Sequence, residues 1–135
     1  MNIIPFKASA GITGFESPAN DYHTSSLSLD DLLIHNPNST WIGCANGDSM
    51  EGVGIYNNDL LVVDRSKVAT HHSVIVATLN GEFVCKIWDE KRHLLLSAND
   101  KYQAVPVTEY DSFSFEGVVI HSIRNHSQST LELFK

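Results

Sequence analysis

Two apolar, β-prone runs, Val74 to Leu79 and Glu82 to Trp88, are separated only by the dipeptide Asn80-Gly81. Asn-Gly suits the positive φ angles of a two-residue type I′ turn, whose twist matches that of paired strands. The stretch therefore predicts an antiparallel hairpin, and its register follows. Leu79 faces Glu82, so Lys86 faces Ile75. Side-chain alternation puts Lys86 on the same face as Val84 and Trp88. A lysine thus falls well inside a paired ribbon, among apolar neighbours. If that face is buried, desolvation lowers the amine pKa from its reference of about 10.4 towards neutrality. A neutral amine can then accept a proton from a hydroxyl. Taken alone, the same lysine is better read as an edge-strand residue that points to water and discourages aggregation.

The rest of the chain extends the β pattern. Thr40 to Ala45, Leu60 to Asp64, Leu94 to Ser97, Ala104 to Thr108 and the long Phe113 to Ile123 are predicted strands. One short helix is expected at 29–36. Ser28 is its N-cap, Asp30 and Asp31 lie in the first turn where the helix dipole favours them, and Pro37 stops it. Residues 1–26 show no sustained period and read as a flexible arm, leaving 27–135 as one β domain. No internal repeat occurs.

Composition narrows the function. The 135 residues are 42% hydrophobic and 19% charged, enough for one globular domain with a core. Nine basic residues against 16 acidic ones give a formal net charge of −7, which repels a phosphate backbone and argues against direct DNA binding. The two cysteines, Cys44 and Cys85, form no disulfide framework, so a reducing compartment is expected. Neither a signal peptide nor an apolar run long enough to span a bilayer is evident, so a cytoplasmic protein away from membranes is expected.

The second chemical candidate is Asn46-Gly47-Asp48-Ser49-Met50. It follows an apolar strand, and Gly47 permits a sharp turn. A serine on such a turn, opening a short helix, has an exposed hydroxyl beside backbone N–H groups able to stabilise an oxyanion. In isolation the stretch reads better as a simple polar loop, where Gly-Asp-Ser is common. Other chemistries fail. The seven histidines include the adjacent His71-His72 but no H-x-x-x-H or H-x-H arrangement, so no metal is expected. A lipase-like hydrolase would need D-x-x-H near the C-terminus, whereas His121 and His126 are preceded at that spacing by Val118 and Ile123. No Gly-rich phosphate loop is present, and no cofactor is expected.

Together these segments have a familiar form. Gly47-Asp48-Ser49-Met50, Asn58-Asp59-Leu60-Leu61-Val62-Val63-Asp64 and Gly81-Glu82-Phe83-Val84-Cys85-Lys86 resemble the peptidase domain of the LexA/UmuD family of self-cleaving serine peptidases. Lys86 follows Ser49 by 37 residues, a spacing that fits that family. Gly14-Phe15-Glu16-Ser17-Pro18-Ala19-Asn20-Asp21-Tyr22, Asp31-Leu32-Leu33-Ile34-His35-Asn36-Pro37 and Phe115-Glu116-Gly117-Val118-Val119-Ile120-His121 are similar to UmuD-like members in particular.

The resemblance implies a mainly β, LexA/signal-peptidase-like fold of several curled β-sheets with one short N-terminal helix. It also implies a Ser49–Lys86 dyad, with the backbone N–H groups of Asp48 and Ser49 holding the oxyanion. The substrate would be the protein's own N-terminal arm. Gap-free alignment places the cut at Thr13-Gly14, where Thr is bulkier than the small residue expected. Ala10-Gly11 offers better chemistry but needs an insertion. Family partners would be a second copy of the chain, a RecA filament on single-stranded DNA as activator, and a UmuC-type polymerase in translesion synthesis and SOS mutagenesis. The strand from Phe113 to Ile123 is the apolar surface to inspect for dimerisation. A non-cleaving dimeric module that regulates a Y-family polymerase is the alternative. A signal peptidase would require a membrane anchor, and a stand-alone repressor would require a DNA-binding domain.

Overall fold

A computed structural model of the chain describes residues 7, 8, 10, 28–127 and 134. The chain divides into two units, Met1–His35 and Asn36–Lys135. In the first, Ser28 and Asp31 cap helix α1 (Leu29–Leu33) reciprocally. The Asp31 N–H donates to Ser28 Oγ at 3.1 Å, and the Ser28 N–H donates to the Asp31 carboxylate at 3.2 Å. The helix stops at Leu33 rather than 36, because Ile34 turns extended, with φ −117° and ψ 106°. A β-branched side chain is at ease there.

The second unit is one antiparallel sheet. Its strands are β1 (Thr40–Cys44), β2 (Leu60–Asp64), β3 (Val74–Leu79), β4 (Glu82–Asp89), β5 (Leu94–Leu96), β6 (Val105–Pro106) and β7 (Phe113–Ile123). They lie side by side in the order β1-β2-β7-β3-β4-β5-β6. The mainly β expectation holds, and β2, β3 and β7 have the limits predicted for them. β6 shrinks to two residues; Pro106 has no N–H to extend a ladder.

The Asn80-Gly81 turn forms as its chemistry requires, with φ of 51° and 89°. Leu79 pairs with Glu82 and Ile75 with Lys86, the predicted register. Asn58, before β2, and His72, before β3, adopt positive φ of 72° and 70°.

The long β7 joins the two halves of the sheet, pairing with β2 on one side and β3 on the other. Its register slips between Val62 and Val63 of β2 and between Val76 and Ala77 of β3. Such bulges sharpen twist and curl a sheet. Two apolar clusters fill the resulting faces. One gathers Ala45, Met50, Ile55, Leu61, Val63 and Val76; the other gathers Ile75, Ala77, Leu95 and Val118. Alternation along β3 explains the split, since Val76 serves the first cluster while Ile75 and Ala77 serve the second.

Candidate active site

The Ser49 loop is built by backbone bonds before its hydroxyl matters. After β1, Ala45 exchanges hydrogen bonds with the turn before β2. Its N–H donates to Asp59 O at 2.8 Å, and its carbonyl accepts from the Asn58 N–H at 2.8 Å. The chain then reverses at Gly47, whose φ of 94° disfavours a side chain. The Gly47 N–H donates to Asn57 Oδ1 at 2.7 Å. Met50 sinks into the first apolar cluster and pins the loop, leaving Ser49 half-buried above it. A single 3-10 turn, Glu51–Val53, follows.

The segment after β5 locks this loop from the other side. The Ala98 N–H donates to Ser49 O at 2.8 Å, and the Gly52 N–H donates to Ala98 O at 2.7 Å. A Cβ at position 52 would stand 2.5 Å from that Ala98 oxygen, so only glycine permits the approach. Asn99 Nδ2 donates to Asp48 O at 2.9 Å. The Asp48 carboxylate accepts from Lys101 Nζ at 2.5 Å and from the Tyr102 hydroxyl. Lys101, then Tyr102, hold the Asp48 carboxyl below the usual carboxylate range, and Asp48 in turn raises both partners.

Behind the loop, the buried Asp59 carboxylate braces the turn. Arg124 Nε and Nη2 donate to its two oxygens at 2.9 Å each, and the Tyr56 N–H donates at 2.8 Å. Arg124 also lies 4.1 Å over the Tyr56 ring. Its guanidinium, more than any other group, keeps Asp59 ionised.

Lys86 sits in mid-β4 and is half-buried. Desolvation lowers its pKa from the ordinary lysine value, opposed only weakly by neighbouring Cys85. Burial pushes the Cys85 thiol up to about 11, so it stays neutral. The Lys86 amine donates to Ser97 Oγ at 2.9 Å and stands 5.5 Å from the centre of the Tyr102 ring. Its hydrogen-bond partner is thus Ser97, next to the residue that grips the Ser49 carbonyl.

Ser49 and Lys86 line the same cavity of about 420 Å³. Its walls are apolar, among them Trp41, Met50, Ile55, Leu61 and Val76. Trp41 meets Phe83 edge-on, with ring centroids 6.2 Å apart, and is held by its Nε1 donating to Glu116 O at 3.1 Å. Among the predicted cleavage-site residues, Ala10 is exposed; Gly11, Thr13 and Gly14 lie outside the described residues.

Sequence reasoning missed Ser97, Asn57, Asn99, Lys101 and Tyr102. None of them carries a local signal in the sequence; it is the folded register that brings Ser97 to Lys86. The β4–β5 register pairs Ile87 with Leu96, and its continuation by one residue sets Ser97 opposite Lys86.

A hydroxyl on a tight turn and a desolvated amine thus open on one apolar cleft in a mainly β protein. The Peptidase S24-like family model matches residues 2–120, and the chain belongs to that family. It is 34% identical over 128 residues to Protein MucA of Salmonella typhimurium, an alignment that covers 93% of this chain and 88% of MucA. Protein SamA of the same species is 34% identical over 113 residues, covering 83% of this chain and 81% of SamA. The LexA repressor of Actinobacillus pleuropneumoniae is 34% identical over 99 residues, covering 70% of this chain and 46% of the repressor.

Proposed function

We propose that the chain is a self-cleaving peptidase in which Ser49 is the nucleophile and Lys86 its general base. The observation that carries this reading is that a serine on a braced turn and a desolvated lysine line one cleft. Neutral Lys86 Nζ takes the Ser49 hydroxyl proton as Oγ attacks the scissile carbonyl carbon. The carbonyl oxygen becomes the oxyanion, held by the backbone N–H groups of Asp48 and Ser49. The Lys86 ammonium then protonates the departing amine, and the acyl-enzyme forms. Water, deprotonated by the same amine, releases the acid and restores the hydroxyl.

The substrate is the protein's own arm, residues 1–26, cut at Ala10-Gly11 or Thr13-Gly14. β1 forms one edge of the sheet and leads straight into the Ser49 loop. Among the described residues that edge pairs with no further strand, and its N–H and C=O groups suit an extended peptide. Similarity to MucA and SamA supports a UmuD-like role. In that role a RecA filament on single-stranded DNA stimulates the cut, and the shortened protein, as a homodimer in the cytoplasm, joins a UmuC-type polymerase in translesion synthesis. Among the described residues no helix is long and apolar enough to cross a membrane.

One observation favours a second reading, a non-cleaving dimeric module that regulates a Y-family polymerase. In register the cut falls at Thr13-Gly14, where Thr is bulkier than the small residue the family expects. Incubation of the purified protein with an activated RecA filament, with fragment masses recorded, separates the two. Cleavage that disappears in both Ser49→Ala and Lys86→Ala supports the peptidase; an intact wild-type chain under every condition supports the module.

A further inference from the structure

We infer that Ser97 is a positioning residue for the Lys86 amine, and that the dipeptide Ser97-Ala98 sets the geometry between amine and nucleophile. The inference rests on the Ser49–Lys86 reading and says how the two residues are brought into register. Lys86 has Ile75 opposite it on one side, and Ser97 in the extended β4–β5 register on the other. Its Nζ reaches Ser97 Oγ at 2.9 Å. The next residue, Ala98, donates its N–H to Ser49 O at 2.8 Å and accepts the Gly52 N–H at 2.7 Å. The side chain of one residue therefore holds the amine, while the backbone of its neighbour holds the nucleophile's loop. Any displacement of one moves the other. The Tyr102 ring beneath Nζ, with its hydroxyl on Asp48, forms a second bridge between the same two regions.

The chemistry of a hydroxyl suits this place. An amine orients by donating one N–H to an acceptor, which leaves its lone pair for another direction. A carboxylate in the same position would orient the amine too, but it would hold the amine protonated and useless as a base. Serine accepts the hydrogen bond without adding a charge. The other groups that meet Lys86 do not compete for this role. Cys85 is a partly buried neutral thiol on the same strand, β3 presents apolar Ile75, and Asp48 is occupied by Lys101 and Tyr102.

Two opposite shifts test the inference. Ser97→Ala removes the acceptor that favours the ammonium form, so the titration of Lys86 moves to lower pH. The maximal cleavage rate falls about 10-fold as the amine loses its aim. Ser97→Asp moves the titration to higher pH, and Ser97→Thr, which keeps the hydroxyl, restores wild-type behaviour. The Lys86 titration is read by NMR of its Cε and Nζ nuclei in the Ser49→Ala protein, alongside pH–rate profiles with Ser49 intact. The NMR arm works whether or not the chain cleaves itself, so absent cleavage sinks the peptidase reading, while the titration reports separately whether Ser97 holds the amine. An unmoved Lys86 titration in both Ser97→Ala and Ser97→Asp, in proteins that melt like the wild type, overturns the positioning role. So does a Ser97→Thr protein that behaves like Ser97→Ala.

Discussion

Lys86 and Lys101 approach the same loop from two regions of the molecule, and their environments act on them in opposite directions. Lys86 comes from the middle of β4, where apolar neighbours strip its water and lower its pKa. Lys101 comes from the exposed segment after β5, where the Asp48 carboxylate raises its pKa. A lysine near a serine is therefore not enough. Desolvation without a counter-charge makes a base, whereas a carboxylate partner makes a clamp. The fold keeps the two apart by giving Lys86 a hydroxyl and Lys101 the acid.

The sharpest way to break this contrast is to remove each lysine in turn. Lys86→Ala should lower self-cleavage by about 10²–10⁴-fold, the usual worth of a general base. Lys101→Ala should cost less than about 10-fold, because it loosens a loop that Asn99 and Ala98 still hold. Fragment accumulation over time measures both. Gly52→Ala comes next. Its methyl group must displace the Ala98 carbonyl, so cleavage should fall about 10–100-fold.

Asp48→Asn frees Lys101 and Tyr102 together. The expected loss is about 10-fold in maximal rate, with little change in the pH at half-maximal rate, since Asp48 acts on the loop and not on the base. Stability supplies the smallest and most pointed difference. Because the Lys86 pKa is lowered in the folded state, folding releases protons, and stability rises with pH up to the ordinary lysine pKa. Lys86→Met should accordingly raise the melting temperature by about 3 °C at pH 7, a gain that shrinks towards pH 10. Lys101→Met should lower it by under about 1 °C, as for an exposed pair. Calorimetric scans at the two pH values check the signs.

The contrast also marks what a sequence can and cannot disclose. The Lys86 strand was legible because Asn80-Gly81 is local turn chemistry, and a two-residue turn fixes every later pairing in its hairpin. Ser49 was legible as a hydroxyl after a turn glycine. Ser97 was not. The connection from Asp89 to Leu94 bears no comparable turn signature, and it closes through His93 at φ 53°, a backbone state few would assign to histidine. Without that register nothing places Ser97 across from Lys86. The Asp48 clamp was hidden for another reason: Lys101 and Tyr102 are 53 and 54 residues away in the chain, brought near only by the packing of the whole sheet. Helix α1 shows a smaller version of the same limit. Its Ser28 cap was readable, but its end was set by Ile34 and not by Pro37.

The central claim is that the deprotonated Lys86 amine activates Ser49, and the pH–rate profile of self-cleavage tests it most directly. The wild-type rate should rise tenfold per pH unit and then level off, with a midpoint below the ordinary lysine value of about 10.4. The Lys86→Ala protein should show no such rise. A cleavage rate that survives Lys86→Ala with its pH dependence intact would contradict the account.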